Sequence, residues 1–242
     1  MPTPCEGWSV HDLALHLVAV DLAVLSRLRD GYEGAIIDAA GDLVAALDAH
    51  NETWVQAARR LSPRVTIELL DLMAPLTQSF FESLPADAEV EGVSWAGLDP
   101  APHWLSVGRE FTERWIHQQQ IRDAVSRPGL NGPRFVAPVL ALSLRSVVHA
   151  YRDVPADPDT TVAISIEGRA GGNWALVRKD GGWELYEGRA SEAIAKVSCD
   201  QDSAWRFLSR NLSRAEAKSR IKLEGKLAKP FMDSIAAIVP DR

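Results

Sequence analysis

Apolar residues recur at helical spacing along the first half of the chain and at strand spacing along much of the second. Ser9 precedes a helical run to about Arg29, with Asp12 three residues on, a capping-box arrangement in which a shorter Asp replaces the usual Glu. Gly31 supplies its stop. A second helical pattern covers about Ala35 to Leu61 and ends at Ser-Pro. A third runs from about Val65 to Leu84 with Pro75 inside it, which predicts a kink or break. Beyond a polar, proline-containing stretch at 85–102, a fourth helix spans about His103 to Val125. Helices of this number and length predict a bundle.

Residues 126–138 (SRPGLNGPRFVAP) carry the glycine and proline punctuation of a linker. The period then changes. One more helix, about Val139 to Tyr151, precedes a strand in which Val162, Ile164 and Ile166 alternate with small or polar residues. Gly-Gly and Asp-Gly turn signals within 168–188 predict consecutive hairpins. Further along, 196–200 reads as a strand, 202–212 as a short helix, 221–226 as a last strand and 227–239 as a terminal helix. The pattern predicts an α+β protein of two domains, a four-helix bundle over 1–128 and an α+β domain over 134–242.

Composition adds limits. With 242 residues, 46% hydrophobic and 24% charged, the chain is long enough for one large or two modest cores and too apolar for disorder. The net charge of −7 hides an asymmetry, −10 up to residue 130 and +3 beyond it, with every lysine at or after Lys179. That balance argues against a nucleic-acid partner. Cys5 and Cys199 are too few for a disulfide framework and fit a reducing cytoplasm. The N-terminal apolar stretch lacks a basic lead and contains His16 and Asp21, so neither a signal peptide nor a membrane span is expected.

The first helix is apolar nearly all round from Leu13 to Leu25, which makes it central, and only His16 and Asp21 break that run. A buried polar side chain left alone costs about 1–3 kcal/mol, so each should have a partner. On the fourth helix, at about 100° per residue, Glu113, His117 and Gln120 share one face while Val107, Phe111 and Trp115 share the opposite one. Glu113 and His117 can offer one carboxylate oxygen and one imidazole nitrogen to the same cation, and His16 is the natural third ligand, leaving an open position. A solvated face for Glu113, His117 and Gln120, and a core histidine satisfied by a carbonyl or carboxylate, are the alternatives.

Other candidates carry less. His11 lies on a different face from His16, and His50, His103 and His149 stand alone. Asp12 is placed to orient His16, although capping is its expected role. Cys5 is near enough to the helix start to be considered as a ligand, and Trp8 is expected to act as a hydrophobic staple. No nucleophile elbow, P-loop or dinucleotide fingerprint occurs. Arg206, Arg210, Arg214 and Lys218 recur at four-residue steps, a basic solvated face that could also meet an anionic substrate.

GWSVHDLALHLVAVD, succeeded about a hundred residues later by EFTERWIHQQQIRDAVSRPG, resembles the mycothiol-dependent maleylpyruvate isomerase family. The resemblance implies a DinB-like bundle whose metal-binding positions fall on His16, Glu113 and His117. KVSCD and, beyond it, IKLEGKLAKPFMDSIA resemble that family's second domain, which is similar to sterol-carrier-protein folds. Two departures stand out. Family members usually start a few tens of residues earlier, so a lead-in to the first helix is either missing or lost. Where the second domain commonly reads Glu-Gly-Asp, this chain has Glu224, Gly225 and Lys226.

The same resemblance implies a divalent metal, zinc above all, that lowers the pKa of a bound thiol or water. Mycothiol is the implied thiol cosubstrate and an electrophilic or anionic small molecule the implied substrate, with isomerisation or S-transfer as the outcome. The alternatives are a binding protein for an apolar or acyl ligand and a metal-stabilised regulatory module.

Overall fold

Ser9 opens the first helix, α1 (Val10–Ala23), through a reciprocal cap: its hydroxyl accepts the Asp12 N–H, and the Asp12 carboxylate accepts the Ser9 N–H and hydroxyl at 2.9 Å each. In the computed structural model, which describes residues 1–32, 43–93, 96–190 and 192–235, the chain leaves α1 through a π-helical turn over Val24–Arg29. There the Asp30 N–H reaches back five residues to the Leu25 carbonyl, and Gly31 turns the chain at φ +64°. Leu13, Leu15 and Val18 are fully buried, as an all-round apolar helix requires, and α1 packs on α2 (Leu43–Ala58) and α3 (Pro63–Ser83). The part of the expected second helix over 35–42 lies outside the described residues.

α3 starts where Ser62 caps the Val65 N–H and Pro63 fills the first turn, whose N–H groups have no helical partner anyway. Of the kink or break expected at Pro75, the break does not occur: the helix continues through it to Ser83. The carbonyl that Pro75 deprives of a donor is that of Asp71, an exposed residue, so water can take the bond. Next comes a two-stranded ribbon that the hydrophobic pattern does not predict, β1 (Glu89–Val90) antiparallel to β2 (Ala101–Pro102), which leads into α4 (His103–Ala124).

Contacts divide the described residues into two compact units, one containing Met1–Ala88 with Glu113–Gly129, the other Glu89–Thr112 with the chain from Leu130 onward. The expected linker is shorter than its prolines suggest. Pro133 begins α5 (Pro133–Ser143), which runs through Pro138, and α6 (Arg145–Tyr151) comes directly after it. Pro133 takes the first helical position, and the carbonyl freed by Pro138 belongs to exposed Arg134 in the first turn.

The sheet consists of β3 (Thr161–Glu167), β4 (Gly172–Lys179), β5 (Gly182–Glu187), β6 (Ala195–Asp200) and β7 (Lys222–Glu224) in the order β5-β4-β3-β6-β7. Among these neighbours only β3 and β6 pair in parallel. Val162, Ile164, Ile166, Leu176, Val197 and Cys199 are buried, as expected where a period-2 pattern turns one sheet face inward. Between β6 and β7 lie α7 (Gln201–Leu208) and α8 (Arg214–Arg220), and α7 brings Trp205 and Phe207 into this core. The expected terminal α-helix is a 3₁₀ segment over Lys226–Asp233 with Pro230 inside, and its residues from 236 on lie outside the described ones. The buried Phe231 ring of that segment stacks on Phe207 at 5.7 Å, and Tyr151 donates its hydroxyl to the Leu227 carbonyl at 2.6 Å. No helix among the described residues is long and apolar enough to cross a membrane.

Candidate metal centre

α1 and the part of α4 from Glu113 onward, both in the first unit, bring the three singled-out side chains to one point. His16 is carried into the interior by α1 and is 6% exposed, while α4 presents Glu113 and His117 one turn apart. Glu113 Oε1 lies 3.0 Å from His16 Nε2 and 2.9 Å from His117 Nε2. One potential ligand atom from each residue lies within 4.8 Å of the others. The imidazole rings meet edge-to-face with centroids 4.9 Å apart.

Burial alone would raise the Glu113 carboxyl, but the charge and hydrogen bonds of His117 and then His16 hold it well below the usual carboxylate range. For His117, burial works against the charged form, and the Glu113 carboxylate with a contribution from Cys5 overrides it, pushing the imidazole up to about 10. Both shifts favour the charged forms of the pair, imidazolium beside carboxylate. His16 and His117 are buried, while the Glu113 side chain as a whole keeps 38% of its surface accessible.

The surroundings fix ring orientation. Gln120, three residues beyond His117, accepts the His117 Nδ1–H on its Oε1 at 2.7 Å, which turns Nε2 toward Glu113. The same oxygen accepts the Cys5 thiol at 3.3 Å. Trp8 lies against His16 with ring centroids 5.1 Å apart and donates its indole N–H to Glu52 at 2.7 Å. Its visible role is thus to hold the imidazole. Gln120 lies on the face its helical spacing predicts, and its i+3 spacing from His117 is the one sequence signal of this orienting contact.

Asp12 does not orient His16. Burial would raise its carboxyl, but hydrogen bonds from Arg59 and Ser9 hold it below its ordinary value, and His16 Nδ1 has no hydrogen-bond partner among the described residues. Asp21, the other polar residue of the apolar run, pairs with Arg114 of α4. His11 meets Thr66 at 3.0 Å, away from the cluster. In the second unit Arg206 is held by Asp202 and stacks on Trp205, and Arg214 pairs with Asp233 at 3.2 Å, so both cations already have carboxylate partners.

The donor set fits a divalent cation. Ligand atoms about 2.1 Å from a tetrahedral ion lie about 3.4 Å apart, and the nitrogen–oxygen distances of 2.9 and 3.0 Å fall short of that by only a few tenths of an ångström. Small side-chain rotations would suffice.

Fold and site together define a helix bundle with a His/Glu/His cluster, continued by an α+β unit. The family model described as the mycothiol maleylpyruvate isomerase N-terminal domain matches residues 1–122, and the chain belongs to this family. Among solved structures, the mycothiol-dependent maleylpyruvate isomerase is similar over 91% of this chain and 80% of its own, with a TM-score of 0.50 at 13% identity. A histidine-to-alanine mutant of that isomerase is similar over 92% of this chain and 80% of its own, with a TM-score of 0.50 at 12% identity. At this identity the likeness concerns fold. Sterol carrier protein 2 like 2 from Aedes aegypti aligns over its whole length with 43% of this chain, at a TM-score of 0.34 and 14% identity. No curated protein matches the chain in sequence.

Proposed function

We propose that this protein is a metal-dependent enzyme that uses mycothiol to attack an electrophilic small molecule, ending in isomerisation or S-transfer. The observation that carries this reading is the convergence of His16, Glu113 and His117 on one point, in a chain of the mycothiol maleylpyruvate isomerase family. His16 Nε2, one Glu113 oxygen and His117 Nε2 would hold the ion, and two nitrogens with one carboxylate oxygen favour zinc. A bound zinc ion lowers the pKa of a thiol enough to supply a thiolate near neutral pH.

This chain's own residues prepare the site for that chemistry. Glu113 is ionised, so it needs no deprotonation to serve as a ligand. His117 must give up the proton it shares with Glu113, which makes cation and proton competitors for the same place. Gln120 holds the other ring nitrogen as a donor and leaves Nε2 facing inward. Three protein ligands would leave one position of a tetrahedral ion for the thiol sulfur.

We take residues 1–128 as the metal-holding domain and 134–242 as a second domain, with 89–112, inside the first stretch of chain, clustering with the second unit by its contacts. Cys5 and Cys199 are free thiols, which suits a reducing compartment, and we place the reaction in the cytoplasm.

The test combines metal content with turnover. Purified protein should contain one zinc per chain by mass spectrometry and should isomerise maleylpyruvate, or consume another electrophile, only when mycothiol is added. His16→Ala should lose both properties. Stoichiometric metal without thiol consumption across a panel of electrophiles would leave a structural metal module, and no metal uptake by folded protein would overturn the reading.

A further inference from the structure

The second unit contains a slot that shares no residue with the His/Glu/His cluster. Trp104, Val107, Gly108 and Phe111 recur along α4 at i, i+3, i+4 and i+7 and so share one helix face. Together with Leu142 of α5 and Arg145 of α6 they border a cavity of about 390 Å³. That size is ordinary for a site that takes a small molecule. Its length is set by the helix: seven residues at 1.5 Å each make about 10 Å.

The walls are apolar and wet. Trp104 and Phe111 are 40% and 37% exposed although each would gain from burial. Gly108 keeps the middle of the slot low, since a Cβ there would lie 2.9 Å from Leu142 Cδ1. At the Trp104 end, the Arg145 guanidinium carbon lies 4.5 Å above the indole ring. Packing there partly desolvates Arg145 and lowers its pKa, with no carboxylate among the described residues offsetting the effect. Arg206 and Arg214 of the same unit, by contrast, each have an aspartate.

We propose that this slot binds a monocarboxylate with an apolar body, the carboxylate on Arg145 and the body along Trp104, Val107 and Phe111. A guanidinium whose face rests on an indole keeps its N–H edges free, and those edges match a carboxylate in bidentate fashion. Arg145 is the one charged residue among those that line the slot, and a lone cation in apolar walls suits a singly charged head better than a dianion. The slot's length selects a medium acyl chain or an aryl group of similar reach. None of this depends on a metal at His16, Glu113 and His117, so the site stands or falls by itself.

The test uses the full chain and sodium octanoate below its micellar concentration, with octan-1-ol as the uncharged counterpart. Octanoate should bind saturably by calorimetry and move one indole N–H resonance, identified as Trp104 by its loss in Trp104→Phe. Arg145→Gln should weaken octanoate about tenfold or more, the scale of one charge-assisted contact, and leave octan-1-ol nearly unchanged. Gly108→Val should weaken both. An unmoved Trp104 resonance, equal binding of octanoate and octan-1-ol by the wild type, or undiminished octanoate binding by Arg145→Gln would overturn the proposal. Should Gly108→Val fail to fold, Arg145→Gln alters an exposed side chain and decides the matter.

Discussion

Gln120→Leu is a direct test of how the His/Glu/His cluster is oriented. The amide oxygen it removes accepts the buried His117 Nδ1–H at 2.7 Å, and Gln120 itself is 5% exposed, so water has poor access to replace it. An imidazole N–H left without an acceptor in such a place costs about 1–3 kcal/mol. Part of that cost can be relieved by rotating the ring, which moves Nε2 away from Glu113. Either outcome weakens a bound cation, and loss of an acceptor behind a ligating histidine typically lowers metal affinity about 10–100-fold. Because Cys5 also influences His117, the substitution should be made alone and with Cys5→Ala. Competition of zinc between protein and a chromophoric chelator measures the change, and Gln120→Glu, which supplies a charged acceptor, should preserve or raise affinity. If Gln120→Leu and the double variant hold zinc within about twofold of the wild type, the hydrogen bond does not orient His117 and that account of the site is wrong.

Further predictions concern the framework. Asp12 has a folded pKa below its ordinary value of 3.8, so its stabilisation is present above that value and lost as pH falls through the lower folded one; wild type and Asp12→Asn, compared by urea unfolding, should converge in acid and separate near neutrality. A gap that stayed constant with pH would rule out the Asp12 carboxylate as its source. Asp21→Ala removes the buried carboxylate that α1 offers to Arg114, which should cost about 1–3 kcal/mol in denaturant unfolding, and a loss under about 0.5 kcal/mol would show that the pair adds little to stability. Phe231→Ala removes a fully buried ring stacked on Phe207 and should cost about 3–5 kcal/mol, seen as loss of the second unit's near-ultraviolet signal at lower denaturant.

Much of this protein is decided within short stretches of chain. The Ser9–Asp12 cap, the start of α4 and the hairpins of β3, β4 and β5 depend on residues a few positions apart, where capping, period and turn chemistry act locally. His16, Glu113 and His117 were legible for a related reason: a polar residue in an all-round apolar helix needs a partner, and a one-turn Glu/His pair is a natural one. Tertiary structure decided what depends on surroundings. Whether a proline breaks a helix turned on the exposure of Asp71 and Arg134, whose freed carbonyls can turn to water. That Asp12 engages Arg59 and not His16, and that Asp21 finds Arg114, depends on which charged group long-range packing delivers. The Arg145 slot is the clearest case, because a cation set among apolar walls is recognised only when its neighbours in space are known. Period and spacing record what a residue requires, and packing determines which distant residue meets the requirement.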